Sequence, residues 1–301
     1  MRNRKAAERQ PTGFGPSVVF SVIVGAATLI GCAGGTGGMG GATGEGPGHR
    51  AQYLALTAEQ ELSLGRQAYR EVLEKYRGHI VRDGRQAEAV RNVGNKIVQA
   101  AQIKPLQHEV NLRFDNSKME WEFTLIDDKQ TNAFCLPGGK VAVFTGLFRV
   151  LENDDELAAV LGHEIGHALA HHASERVARE HQLRQSLDVA DNGTLTSLSP
   201  TERSAIMSSL APGTGIGGLA FDRAQESEAD HIGVFLMTFA GYKPEAAIRL
   251  WENMAQAGGS RGVPEILSDH PSDARRIAQM RAWVPLAEAG LKAYKEGRIA
   301  Q

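Results

Sequence analysis

One stretch, Asp154 to Arg179, constrains this chain more than any other, because it combines a helical pattern with an H-E-x-x-H motif. The motif consists of His163, Glu164, two spacer residues and His167. A separation of four residues places both imidazoles on one face of a helix, about one turn apart. Two imidazoles at that spacing can bind one zinc ion, and Glu164 can reach a water bound to the same metal. The stretch therefore predicts a zinc site carried by a helix.

Residues before and within the motif support a helix here. Asn153 can cap its N-terminus, and Glu156 follows three residues later, as in a capping box. A small residue at Gly166 lets the backbone approach a substrate or a neighbouring element. The alternative to a metal site is a pair of solvated histidines on the surface of this helix. Apolar residues recur with the helical period, at Leu157, Val160, Leu161, Ile165, Ala168 and Leu169.

A second helical stretch, residues 221 to 239, contains the acidic side chains that such a site needs. Two histidine ligands call for a third protein ligand from elsewhere, and Glu226 is suited to that role. Asp230 lies one turn later, where it can accept a hydrogen bond from a zinc-bound imidazole. Glu228 is about 200° around the helix from Glu226 and is predicted to face away. The alternative for this stretch is a charged, solvated helix face.

Composition excludes several other classes of protein. The 301 residues suit one or two domains, and 42% of them are hydrophobic, which is enough for a sizeable core. The net charge is −2 and no long basic run is present, so no nucleic-acid partner is predicted. The two cysteines, Cys32 and Cys135, can form neither a disulfide framework nor a cysteine zinc site.

The N-terminal segments predict export and membrane attachment. Residues 1–31 combine a basic start with an apolar run too short for a confident membrane span, which is typical of a signal peptide. The tetrapeptide that ends in Cys32 resembles a bacterial lipoprotein signal, cleaved before a cysteine that then carries lipid. Residues 32–52 are predicted to be a glycine-rich tether and residues 53–301 the folded domain. An ordinary signal peptide and an uncleaved anchor are the alternatives.

The rest of the chain predicts an α+β fold, mostly helical, with a small antiparallel sheet beside the H-E-x-x-H helix. Helices are predicted near residues 57–76 and 86–102, and strands at 110–114, 121–126 and 140–145. An edge strand of this sheet can hold an extended peptide, or it can belong to a purely structural hairpin. Residues from about 182 to 218 show little pattern and are predicted to be a mobile lid, with a surface insertion as the alternative.

Taken together, these motifs resemble metallopeptidase family forty-eight, the HtpX-like and CAAX-prenyl-protease-like zinc peptidases. The closer resemblance is to its soluble branch of BepA-like, LoiP-like and Oma-like enzymes, and it runs from about Leu56 to Met280. It implies a zincin-like (gluzincin) metallopeptidase fold. The motifs that carry it are Asn132-Ala133-Phe134, Pro137-Gly138-Gly139, His163-Glu164-x-x-His167, Glu226-x-x-Ala229-Asp230 and His270-Pro271.

The resemblance implies one zinc ion per chain, bound by His163, His167 and Glu226, with Glu164 as the catalytic base. It also implies roles that spacing alone does not assign. Asp230 and Arg276 would support the ligands, and His270 would lie near the metal, either to stabilise the oxyanion or to block the site as an extra ligand. Substrate binding is implied for Asn132, Phe134, Gly138 and Gly139.

The predicted function is zinc-dependent hydrolysis of peptide bonds in misfolded or unassembled proteins of a bacterial cell envelope. Ala33 rather than aspartate follows Cys32. The resemblance to lipoprotein sorting signals therefore implies lipid anchoring at the periplasmic face of the outer membrane. A metal-bound chaperone or assembly factor with little proteolysis is one alternative, and a non-peptidase zinc hydrolase is another. The presence of Glu164 favours a peptidase, because a binding module has no need of a catalytic base.

Overall fold

A computed structural model describes residues 43–45, 51–112, 116–187, 223–257, 266, 270 and 274–299. The predicted signal peptide and Cys32 lie outside the described residues, as does the predicted lid beyond residue 187. Among the helices that the structure describes, none is long and apolar enough to cross a membrane.

The described elements are mostly helices around one small sheet. Short 3-10 helices occupy Asn116–Lys118 and Thr145–Arg149. The strands and helices follow one another in this order: β1 (Thr43–Glu45), β2 (Ala51–Tyr53), α1 (Ala58–Lys75), β3 (Ile80–Val81), α2 (Arg85–Ala101), α3 (Lys104–Glu109), β4 (Glu122–Ile126), β5 (Ala133–Leu136), β6 (Lys140–Phe144), α4 (Asp154–Leu169), α5 (His172–Leu187), α6 (Arg223–Phe239), α7 (Glu245–Ala257) and α8 (Ala274–Lys295).

The predicted helix starts at Thr57 and Asn153 are confirmed. Thr57 and Gln60 form a full capping box at the start of α1. At α4 the Asn153 side chain accepts a hydrogen bond from the Glu156 backbone N–H at 3.1 Å. The Glu156 carboxylate reaches one residue further back than a capping box requires and accepts from the Glu152 N–H at 2.7 Å. Both arrangements satisfy backbone donors that a helix start leaves without intrahelical partners.

The main sheet is mixed, so the prediction of an antiparallel sheet was wrong in one pairing. Its strand order is β3-β4-β6-β5, and β4 and β6 run parallel while the other two pairings are antiparallel. The reason lies in residues 133–136, which were not among the predicted strands and which form strand β5. The hairpin after β5 brings β6 back between β4 and β5, in the direction of β4.

The strand predicted at residues 110–114 is not formed in its described part. Pro105 lies in the first turn of α3, where its missing N–H costs nothing. The helix ends at Glu109, and Val110 is its C-cap, with its N–H bonded back to Leu106. Local proline chemistry therefore overrides the apolar alternation in this stretch.

A short hairpin lies inside the range predicted to be a tether. Strands β1 and β2 pair in antiparallel register, from Thr43 opposite Tyr53 to Glu45 opposite Ala51. Gln52 is buried, and its side-chain amide donates to the Ala170 carbonyl at 2.5 Å. This contact anchors the hairpin to the end of α4, although its glycine-rich composition predicts a flexible tether that does not pack on the domain.

Helix α4 lies at the centre of the domain. Every residue from Glu156 to His167 is buried, and the helix contacts α2, α6, α7 and strand β5. A helix buried on all sides needs apolar or small residues around its whole circumference, with its polar groups partnered. A second apolar cluster, which includes Tyr69, Val72 and Phe144, packs beneath α1 on the other face of the sheet.

Candidate metal centre

Helices α4 and α6 cross at unusually small separation. A Cβ atom placed on Gly233 would lie 2.9 Å from the backbone of both Gly162 and His163, and one on Gly162 would lie 2.9 Å from the Gly233 carbonyl. A Cβ on Gly166 would lie 3.0 Å from the Ala229 carbonyl. A small residue at Gly166 was predicted to allow close approach of a substrate or of a neighbouring element. The structure shows close approach of a neighbouring element, helix α6. The close crossing positions the polar side chains of the two helices opposite one another.

Four buried side chains converge at this crossing. His163, His167, Glu226 and His270 each offer one ligand atom, and these atoms all lie within 4.8 Å of one another. The Nε2 atoms of His163 and His167 are 3.1 Å apart, and each is 3.4 Å from a carboxylate oxygen of Glu226. The structure thus brings together the three predicted ligands and the histidine that spacing alone did not place.

Each histidine of the H-E-x-x-H motif has a partner on its Nδ1 atom. The Nδ1 atom of His163 lies 2.9 Å from Asp230 Oδ1, as the i+4 spacing on α6 predicts. Arg276 donates to both Asp230 oxygens, at 2.6 and 2.8 Å, and lies 2.8 Å from Glu226 Oε2. Its guanidinium stacks on the Trp251 ring at 4.3 Å from the centroid. A single arginine therefore holds the carboxylates of Glu226 and Asp230 in one arrangement.

His167 has a partner that the sequence did not predict. Its Nδ1 atom lies 2.8 Å from Nδ1 of His172, and Nε2 of His172 lies 2.9 Å from Glu228 Oε2. Glu228 faces away from the metal ligands, as predicted, but it is buried against His172 rather than solvated. The signal that was available was the histidine pair His171-His172, four and five residues after His167.

A break in the helical stretch explains how His172 reaches back to His167. Helix α4 ends at Leu169, and His171 adopts a left-handed backbone conformation with φ of 54°. Helix α5 then begins at His172 in a new direction. The helical pattern from Asp154 to Arg179 therefore covers two helices.

Electrostatics at the centre favour the ionised carboxylate of Glu226 and the neutral imidazole of His167, the forms that bind a metal ion. Burial opposes charge on Glu226, but the neighbouring charge of His270 and hydrogen bonds from the three histidines hold the pKa of its carboxyl well below the ordinary value. Burial lowers the pKa of His167 well below its usual range and keeps the imidazole neutral. Despite burial, hydrogen bonds to Asp230 and Glu226 raise the pKa of His163 to about 9. A proton on His163 therefore competes with a metal ion for the same nitrogen.

Glu164 lies beside the converging side chains, next to His270. Nε2 of His270 lies 3.4 Å from Glu164 Oε1, while its Nδ1 lies 2.9 Å from Glu226 Oε1 and 3.2 Å from His163 Nε2. Strand β5 packs against α4, which carries Glu164. Burial, together with the charge of Glu164, raises the pKa of the Cys135 thiol on this strand.

The four residues that the resemblance links to substrate lie on and beside β5, and all four are buried. Asn132 is fully buried and accepts from the Ala133 N–H at 2.8 Å. The Phe134 ring packs against Phe144 in the cluster beneath α1. Gly138 and Gly139 have φ of 76° and 91°, which the turn between β5 and β6 requires and which disfavours residues with a side chain. The structure gives each of these residues a packing or turn role, and substrate binding by them stays a prediction.

Two imidazoles and one carboxylate on two crossing helices, with a glutamate beside them, define the metallopeptidase class. Their nitrogen and oxygen donors fit a transition-metal ion such as zinc.

Comparison with known families identifies the group within this class. Residues 88–284 match the model of peptidase family M48. The chain belongs to peptidase family M48, which is a family of metallopeptidases. Both the predicted family and the predicted class of enzyme, a metalloendopeptidase, are confirmed.

Relatives of known activity come from two cellular settings. The chain is 31% identical over 250 residues to the mitochondrial metalloendopeptidase OMA1 of Saccharomyces cerevisiae, covering 79% of this chain and 68% of that protein. It is also 31% identical to the OMA1 of Schizosaccharomyces pombe, across 80% of this chain and 66% of the relative. It is 35% identical over 170 residues to the beta-barrel assembly-enhancing protease of Escherichia coli K12, across 54% of this chain and 34% of that protein.

Proposed function

We propose that this metalloendopeptidase is zinc-dependent, with one zinc ion bound by His163, His167 and Glu226 and with Glu164 as general base. The observation that carries the proposal is the convergence of these ligand atoms, buried and within 4.8 Å of one another, at the crossing of α4 and α6. Two histidines and one glutamate leave a coordination position for water or substrate, as catalytic zinc sites require.

The mechanism follows from where the side chains lie. When bound, zinc lowers the pKa of a coordinated water and polarises the substrate carbonyl. The Glu164 carboxylate accepts a proton from the attacking water and later transfers it to the leaving amine. Asp230, held by Arg276, keeps the proton of His163 on Nδ1, so that Nε2 can act as ligand.

His270 has two possible roles in this proposal, and its position supports both. Its Nδ1 lies within 3.2 Å of atoms from His163 and Glu226, where it can act as a further ligand and exclude water. Its Nε2 lies 3.4 Å from Glu164, on the side where a donor would stabilise the oxyanion. Replacement of His270 by alanine distinguishes these roles, because unblocking raises activity whereas the loss of an oxyanion donor lowers it.

Strand β5 is the proposed site for an extended substrate. It is the edge of the described sheet, since β6 is its one strand partner there, and it packs against α4. An edge strand offers backbone donors and acceptors to a peptide, which is a common mode of recognition. Asn132, Gly138 and Gly139 flank this strand and would shape its ends.

We further propose that the substrates are misfolded or unassembled proteins of a bacterial envelope, with Cys32 lipidated at the outer membrane. The lipoprotein-like tetrapeptide before Ala33 supports this assignment, as does similarity to a protein named for its role in beta-barrel assembly. Because other relatives are mitochondrial proteins, the membrane anchor needs a direct test. Labelling with a fatty acid should mark the wild-type chain and spare Cys32→Ser, and an unlabelled wild type would overturn the anchor.

The decisive experiment for the activity is Glu164→Gln. Glutamine keeps the size of the side chain but accepts no proton. Zinc content should therefore stay near one per chain, while the rate of casein cleavage should fall by about 10²–10⁴-fold. Glu245→Gln is the matched control, because it makes the same change at an exposed site on α7. Equal cleavage by wild type and Glu164→Gln would refute the assignment. Suppression of client aggregation by both proteins without cleavage would favour the chaperone alternative.

A further inference from the structure

The two ligating histidines are supported in different ways, although they lie one turn apart on the same helix. His163 contacts a carboxylate directly, at 2.9 Å from Asp230. The Nδ1 atom of His167 instead contacts a second imidazole, that of His172, whose other nitrogen is 2.9 Å from Glu228. The ring centroids of His167 and His172 are 4.9 Å apart and their planes meet at 73°. The proposed zinc site assigns no role to His172 or Glu228.

The placement of protons along this chain follows from the chemistry of its ends. A carboxylate only accepts hydrogen bonds, so Glu228 selects the tautomer of His172 with its proton on Nε2. The Nδ1 atom of His172 is then an acceptor, and it accepts a hydrogen bond from the Nδ1–H of His167. That leaves His167 Nε2 without a proton, facing Nε2 of His163 at 3.1 Å. Each partner thus determines the protonation of the next.

Burial makes this arrangement consequential. His172 is fully buried and Glu228 is 8% exposed, so a broken contact would leave polar atoms with little access to water. The two residues come from different elements, the first residue of α5 and the first turns of α6. The pair can therefore fix both the tautomer and the ring orientation of His167 relative to Glu226, which lies two residues before Glu228.

We propose that His172 and Glu228 form a positioning relay that presents His167 Nε2 to the metal and sets the zinc affinity of the site. The inference rests on the proposed zinc site, which it deepens. Neither residue contacts the metal or substrate in this assignment. The expected size of the effect is that of other partners of metal ligands, whose loss weakens metal binding by about 10–100-fold.

The test compares two replacements of His172 in the full-length protein. His172→Asn retains an acceptor oxygen close to the position of Nδ1, whereas His172→Phe retains the ring shape without any acceptor. Zinc affinity, measured by competition with a chromogenic chelator, should fall by about 10–100-fold in His172→Phe and recover by several-fold in His172→Asn. His108→Asn, at an exposed site on α3, is the control and should bind zinc as the wild type does.

A double-mutant cycle tests whether the relay acts as one unit. Glu228→Gln should weaken zinc binding less than His172→Phe, because the amide carbonyl can still accept from His172. The double variant should lose no more affinity than His172→Phe alone, since Glu228 acts only through His172. Additive losses would overturn the relay.

A purely structural role gives a different pattern. If the role is structural, variants with lower unfolding temperatures in the metal-free state should also bind zinc more weakly. If the relay is correct, zinc affinity should depend on whether the residue at position 172 offers a hydrogen-bond acceptor. Equal affinity of His172→Asn and His172→Phe, or wild-type affinity in both, would overturn the proposal. If the wild-type protein binds no zinc, the proposed zinc site itself fails, so the two failures are distinguishable.

Discussion

At the residue scale, the centre depends on carboxylates that differ in role although they lie within one turn of α6. Glu226 faces the imidazole nitrogens, Asp230 supports His163, and Glu228 is buried against His172. We predict that Glu226→Ala weakens zinc binding by more than about 100-fold, since losing a ligand costs more than losing the partner of a ligand. Elemental analysis and chelator competition measure this.

The control for that prediction must be chosen from outside this group. Helical spacing predicts that Glu228→Ala leaves zinc binding unchanged, but Glu228 contacts His172 in the structure, so this variant is not a neutral control. Glu245→Ala, at an exposed position on α7, should leave zinc content unchanged. Equal zinc loss in Glu226→Ala and Glu245→Ala would show that Glu226 is not a ligand.

A second residue-scale prediction concerns pH and the end of α4. The Nδ1 atom of His171 lies 2.6 Å from Glu61 on α1, and although burial opposes it, this partner raises the pKa of His171 above its ordinary value. The ion pair stabilises the fold fully below the unfolded-state pKa of about 6.5 and is lost as pH rises through the raised folded-state value. Urea unfolding should show Glu61→Gln less stable than wild type near pH 6.

The same comparison at alkaline pH completes this test. Once His171 is neutral, removing the charge of Glu61 costs little, so the stability gap between wild type and Glu61→Gln should narrow. A gap of constant size across the range would mean that the pair contributes through packing alone.

At the element scale, the close crossing of α4 and α6 is the feature that assembles the centre. We predict that Gly233→Ala destabilises the protein by about 1–3 kcal/mol, because the new methyl group would overlap the backbone of Gly162 and His163. The same change should weaken zinc binding, because separating the helices moves Glu226 away from His163 and His167. Thermal unfolding and zinc titration measure the two effects.

Gly290→Ala on α8 is the matched comparison. A Cβ atom there would lie 3.7 Å from the Phe239 ring, an ordinary contact. The change should therefore stabilise α8 by up to about 1 kcal/mol, the usual difference between alanine and glycine in a helix. If both glycine replacements stabilise the protein, the crossing is not tight enough to position the ligands.

At the scale of the whole molecule, a bound zinc ion would join helices whose ligands are separated by about sixty residues of chain. Binding that is confined to the folded state stabilises it by about 4 kcal/mol when free zinc is a thousand times the dissociation constant. We therefore predict that chelation lowers the unfolding temperature by about 8–16 °C. Differential scanning calorimetry with and without chelator measures this, and Glu226→Ala should show little further change.

Several features follow from local sequence alone. The four-residue spacing of His163 and His167, the cap at Asn153, the capping box at Thr57 and the i+4 pair of Glu226 and Asp230 each depend on helix geometry over a few residues. Such patterns are readable because the period of a helix fixes which side chains share a face. The resemblance carried by the H-E-x-x-H motif, the Glu226–Asp230 pair and the motifs at residues 132–139 and 270–271 predicted the family and the enzyme class, and the comparisons confirm both.

Other features required the tertiary structure, because they depend on residues far apart in the chain. Strand β5 pairs with β6, and β6 in turn runs parallel to β4. The alternation of apolar and polar residues predicts strands, but it does not predict which strands pair or in which direction. The relay of His172 and Glu228 depends on the break at His171 and on the direction in which α5 then leaves α4. His270 reaches the ligands from beyond α7, at a position that no spacing predicts. Local patterns determined which helix faces carry the chemistry, and only the packing of those faces decided which side chains meet.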